Sequence, residues 1–163
     1  MIHATSWFPW RCRRVPRAST SASTGARSAT PYHLALLAEA LALAGKIEEG
    51  LATLNDALAK AAVSGAKGSD AEIHRLCGEL TGRLPYPDPA KAEDSFRTAL
   101  AIAREQGTRG YELRAATSLA RLWREQGRQG EARALLAPLY GWFSEGFETV
   151  DLKDAKALLD KLA

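Results

Sequence analysis

Arg114, Thr117, Arg121 and Arg124 recur at i, i+3, i+7 and i+10, a spacing that sets side chains along one face of a helix. A row of guanidinium groups is chemistry for carboxylates or phosphates, which Arg binds in bidentate fashion. Arg75 joins the same surface if its helix lies beside that one. The opposing reading is a solvated face on which Glu79, Glu112 and Glu125 neutralise the arginines, as helical charge runs usually do.

The other reactive residue types do not assemble into a site. Gly141 and Gly146 have the spacing of a phosphate loop, but Phe147-Glu148 follows where such a loop needs Lys and Ser or Thr. His3, His33 and His74 stand apart from one another and from any ligand-spaced Cys or carboxylate. Cys12 and Cys77 make no C-x-x-C pair, so a buried Cys77 thiol is expected, with neither a disulfide nor a zinc site. Glu48-Glu49 and Glu93-Asp94 fall early in predicted helices, where negative charge complements the helix dipole. The expectation is a chain with no catalytic residues, no cofactor and no metal.

The elements that carry these residues are helical. A pattern of small-x3-large-x2-small or apolar residues reads Gly50, Leu54, Ala57, then Ala92, Phe96, Ala99, then Ala132, Leu136, Leu139. Its copies begin 42 and 40 residues apart, the mark of a repeated helical hairpin. Hairpins are predicted over about 31–64, 69–106 and 108–140, with a capping helix over about 149–162. The start signals are Thr30 with Pro31, a capping box of Ser69 and Glu72, Asp88 with Pro89, and Thr149. Gly45, Gly107 and Gly127 are stop signals, and three prolines between Pro85 and Pro89 break the middle hairpin. Trp123 reads as core, whereas Trp142 and Phe143 either pack under the last helix or face a neighbour.

Composition sets the frame. The 163 residues are 46% hydrophobic and 25% charged, ordinary for a globular domain, with no apolar run long enough to span a bilayer. The net charge of +3 is uneven: residues 1–30 hold five arginines and no acid, leaving residues 31–163 with 17 basic and 19 acidic residues. That leader, rich in Ser, Thr, Arg and Ala, reads as disordered. Its Arg13-Arg14 pair is followed by Val15-Pro16-Arg17, which is no export signal. It resembles mis-started translation joined to a genuine coding region, so the chain reads as a fragment of a longer protein whose first hairpin packed on something upstream.

Ala38, Gly78 and Ala120 supply the small slot of the first helix in each unit, and Gly45 and Gly127 the turn glycine. With the small-large-small slots above, residues 31–163 resemble a divergent tetratricopeptide repeat array. The repeats are near 40 residues instead of about 34, lack the closing proline, and place Leu139 where a small residue is usual. The resemblance implies an all-α fold, a right-handed TPR-like α-solenoid of about three hairpins plus a C-terminal capping helix. The run from Leu36-Leu37-Ala38-Glu39-Ala40 to the Gly141–Phe147 segment resembles the C-terminal region of large bacterial signalling proteins. Those join a class III adenylate/guanylate cyclase or a DNA-binding domain to an AAA-type ATPase and then to repeats. The implied function is a cytoplasmic, non-catalytic protein–protein interaction scaffold of sensor or regulatory type. Its partner would be a protein or peptide, or the upstream domains of its own chain; the surface of Arg75, Arg114, Thr117, Arg121 and Arg124 suits an acidic one. The alternative is a nucleic-acid-binding regulator resting on the Arg-rich leader and the same arginines.

Overall fold

A computed structural model describes residues 29–65 and 67–163. Seven helices follow one another: α1 (Ala29–Leu43), α2 (Ile47–Ser64), α3 (Asp70–Gly82), α4 (Pro89–Gln106), α5 (Arg109–Glu125), α6 (Gln129–Gly141) and α7 (Val150–Lys161). Among the described residues there is no strand, so the fold is all-α. None of these helices is long and apolar enough to cross a membrane.

Three of the turns share one geometry. Gly45, Gly107 and Gly127 have φ of 79°, 66° and 77°, a left-handed conformation that costs glycine nothing. Each glycine N–H reaches back three residues, as Gly107 does to the Arg104 carbonyl at 3.2 Å. The next N–H reaches back five: Lys46 to Leu41 at 2.9 Å, Thr108 to Ala103 at 3.0 Å and Arg128 to Trp123 at 2.8 Å. Paired bonds of this kind satisfy carbonyls that the ending helix leaves free. The short turns fold α2 back on α1 and α6 back on α5.

The start signals fared unevenly. The Asp88 carboxylate caps α4 by accepting the Lys91 N–H at 3.1 Å, with Pro89 opening the helix as expected. Thr30 lies inside α1, which begins at Ala29, so it is not the cap. Pro31 is tolerated there because first-turn N–H groups have no partner within the helix. Ser69 precedes α3 but makes no capping bond, and the Glu72 carboxylate accepts from Arg75 instead. Thr149 precedes α7, yet its hydroxyl donates to the Gly146 carbonyl at 2.8 Å instead of accepting from the helix.

Each helix packs on the next in sequence, and the odd-numbered helices also pack in series, α1 on α3, α3 on α5 and α5 on α7. Among the described residues the backbones of α2, α4 and α6 do not approach one another closely, although Arg128 just before α6 reaches Glu93 of α4. The odd helices therefore form one continuous layer and the even helices a row outside it. Eight of the nine small-large-small residues are buried; the ninth is Leu139, the one that departs from the pattern. The glycines in these positions admit a neighbour. A Cβ on Gly50 would lie 3.1 Å from the Ala38 carbonyl oxygen, and one on Gly78 would lie 2.5 Å from the Phe96 ring. The core divides into one cluster over α1, α2 and α3 and a second over α4 to α7.

Candidate functional site

The arginine row sits on the odd-helix layer, and the layer brings carboxylates to it. Glu72 is the hub: its side chain is only 8% exposed. It accepts from Arg75 Nε at 3.0 Å and Nη2 at 2.7 Å, one turn along α3. Arg114 of α5 approaches the same carboxylate at 3.0 Å and reaches Asp151 of α7 at 3.5 Å. Arg75 also donates to Glu79 at 3.3 Å and lies 3.8 Å from Glu39 of α1. Burial alone would lower the Arg75 pKa, but Glu72, Glu79 and Glu39 raise it above its ordinary value, so this guanidinium stays charged. Glu79 in turn accepts the Ser118 hydroxyl at 2.6 Å and faces Arg121 at 3.7 Å. A ladder of opposite charges thus runs across α1, α3, α5 and α7.

Of the five residues singled out from sequence, Arg75, Arg114 and Arg121 join this ladder. Thr117 is buried and donates its hydroxyl to the Leu113 carbonyl at 2.8 Å, inside its own helix. Its role is structural, because a hydroxyl four residues along a helix finds that carbonyl before it finds a ligand. Among the described residues Arg124 has no carboxylate in ion-pair reach. The neutralising partners include Glu79 as expected, but Glu112 instead binds Arg104 at 2.8 Å and Arg109 at 2.6 Å. Sequence reasoning missed Glu72, Glu39, Ser118 and Asp151. The i, i+3 spacing of Glu72 and Arg75 was a usable signal; the others act across helices and had none.

A second polar cluster lies around Trp123, which is buried as expected. Arg97 and Arg128 approach its ring at 5.2 and 4.6 Å from the centroid, where a guanidinium gains from the ring quadrupole. Glu93 holds both, at 2.8 Å from Arg97 and 3.0 Å from Arg128. This corrects the expectation that Glu93 and Asp94 serve the helix dipole, because they lie beyond the first turn of α4. Burial opposes ionisation of Glu93, but Arg97 and Arg128 outweigh it and hold the carboxyl below its ordinary value of 4.5. A lowered folded-state pKa stabilises the fold above the unfolded value and loses that stabilisation as pH falls through the folded one. Acid unfolding below about pH 4.5 should therefore be shallower in Glu93→Gln than in the parent; superimposable stability-against-pH curves would contradict the pairing.

The remaining candidates separate. Gly141 ends α6 and Gly146 turns toward α7, with helix on both sides where a phosphate loop follows a strand. His33 is exposed on α1 and His74 buried on α3. Cys77 is fully buried and disulfide-bonded, which corrects the expectation of a free thiol; Cys12 and His3 lie outside the described residues. Phe143 packs against the core beside α7, whereas Trp142 is 60% exposed with Arg109 5.2 Å from its ring centroid.

No family model matches the chain. A stretch of 98 residues, 60% of the chain, is 35% identical to an uncharacterized protein of Rhizobium meliloti (strain 1021), of which it spans 9%. The chain is thus similar to a short part of a bacterial protein about eleven times the length of the match.

Proposed function

We propose that the chain is a non-catalytic interaction scaffold, a TPR-like right-handed solenoid of three hairpins and a capping helix. In this reading it is the C-terminal sensor or regulatory region of a cyclase- or ATPase-type bacterial signalling protein. The observation that carries it is the serial packing of the odd helices, with no comparable backbone packing between the even ones. Stacked hairpins pack in that way, each contacting only its neighbours and together presenting one extended face. The great length of the relative supports a region embedded in a larger chain.

The partner face is the odd-helix layer. Its arginines are already opposed by Glu39, Glu72, Glu79 and Asp151, so a partner meets a mixed-charge surface on which Arg121, half-exposed and 3.7 Å from Glu79, and Arg124 are the least engaged cations. The same pairing disfavours nucleic acid, whose phosphates need arginines not already engaged. The upstream domains of the parent protein, or a peptide with acidic residues spaced for Arg121 and Arg124, fit this face. Substituting both arginines, Arg121→Glu and Arg124→Glu, should weaken capture of such a partner at least tenfold by titration calorimetry. The far-ultraviolet helical signal should not change. Undiminished binding by the folded double variant rejects this face as the site.

A further inference from the structure

The solvent side of α1 is largely apolar. Tyr32, His33, Leu36, Leu37, Ala40 and Leu43 are all exposed, and Leu36, Leu37 and Leu43 are 44%, 49% and 85% accessible. The one charged residue of α1, Glu39, already faces Arg75. A helix with leucines on its outward as well as its inward side is ordinarily covered on both. The other end of the molecule differs: α7 turns Lys153, Asp154, Lys156, Asp160 and Lys161 outward, as a terminal cap does.

Register identifies what covers α1. Ala38, Gly78 and Ala120 hold equivalent buried places in α1, α3 and α5. Counted from them, His33, Leu36, Leu37 and Ala40 correspond to Ile73, Leu76, Cys77 and Leu80 of α3. All four on α3 are buried in the cluster formed with α1 and α2. The same count reaches Ala115, Ser118, Leu119 and Leu122 on α5, of which three are buried and Leu122 half-buried. Ser118 there contacts Glu79 of the preceding hairpin. The positions that α3 buries in the cluster with α1 and α2, and most of those that α5 buries, are the positions that α1 leaves open.

We infer that this face of α1 seats one further helical hairpin of the same pattern, lying on α1 as α1 and α2 lie on α3. The inference rests on the stacked-hairpin reading. The occupant is a hairpin and not a lone helix because α3 is covered by both α1 and α2. Its second helix carries a small residue where α2 has Gly50, which leaves room for Leu80: a Cβ there would lie 2.7 Å from the leucine methyl. Ala40, the equivalent of Leu80, asks for less room. A second copy of this chain stacked head to tail fits poorly, since its charged α7 would meet the leucines of α1.

The test duplicates residues 29–68 ahead of residue 29 in the full chain, which gives α1 a predecessor in the register it gives α3. The extended protein should unfold in one transition with its midpoint raised by roughly 5 °C or more. The pair Leu36→Glu and Leu37→Glu should move the unextended chain by less than about 2 °C, and the extended chain, in its downstream copy, by roughly 10 °C. A duplicate that melts separately, or a pair of glutamates silent in both chains, overturns the assignment. So does a concentration-dependent dimer of the unextended chain that the glutamates dissolve, which would name a second copy as the occupant. Leu119→Glu, at the register position of Leu37, separates the two levels of the argument. It should destabilise both chains, and a silent Leu119→Glu would sink the stacked reading itself.

Discussion

Phe96→Ala is expected to lower the unfolding free energy by about 3–5 kcal/mol, the range for emptying a buried aromatic site. Phe96 is 4% exposed, and its ring lies where a Cβ on Gly78 would fall, 2.5 to 2.9 Å from three ring carbons. That closeness predicts a reversal of sign. In the parent, Gly78→Ala gains about 1 kcal/mol of helix propensity but forces the ring aside at a cost of roughly 1–3 kcal/mol. In the Phe96→Ala background the clash is gone, so Gly78→Ala becomes stabilising and partly fills the hole. Urea denaturation of the four proteins measures the coupling. Equal effects of Gly78→Ala in both backgrounds would show that something other than the Phe96 ring excludes a side chain at that position.

Glu72→Ala carries the second large effect, about 3–5 kcal/mol for removing one partner of a buried ion pair. The lower end is expected, since Glu79 and Glu39 remain near Arg75. The loss arises because Arg75, 11% exposed, and Arg114, one-third exposed, both lean on this carboxylate. Glu49→Ala is the control: its partner Lys46 is 55% exposed, and such surface pairs contribute about 1 kcal/mol or less. A cycle of Glu72→Ala with Arg114→Ala isolates the contact between α3 and α5, and a coupling near zero would remove the ladder as a source of cohesion between hairpins. Helix content followed during thermal unfolding supplies both numbers.

The two effects differ in how far the sequence announced them. Phe96 and Gly78 were both placed in repeat slots from spacing alone, because a 3.6-residue period written in small and large side chains is a local signal. Asp88 before Pro89 was equally plain, since the cap uses a backbone N–H three residues away. Ser69 and Glu72 have the spacing of a capping box, and yet the box does not form. A backbone N–H offers Glu72 a partial charge, whereas Arg75 and Arg114 offer full charges in a poorly solvated place, and the stronger field takes the carboxylate. Glu93 moved from helix end to ion-pair hub for the same reason, with Arg128 arriving from 35 residues away.

Local pattern therefore established seven helices close to their observed limits, the turn glycines and the buried stripe, since each depends on neighbours within about one helical turn. It also aligned Arg114 and Arg121 on one helix face, whereas Arg75 joins them only because α3 packs on α5. Whether those arginines were vacant depended on Glu39, Glu79 and Asp151, which reach them from other helices of the layer. Packing alone also distinguishes Leu37 from Leu119: both are leucines in the same register position, one 49% exposed and the other 1%. Leu119 lies in the core cluster that α4 to α7 build and Leu37 in neither cluster, a relation between distant segments that no local period encodes.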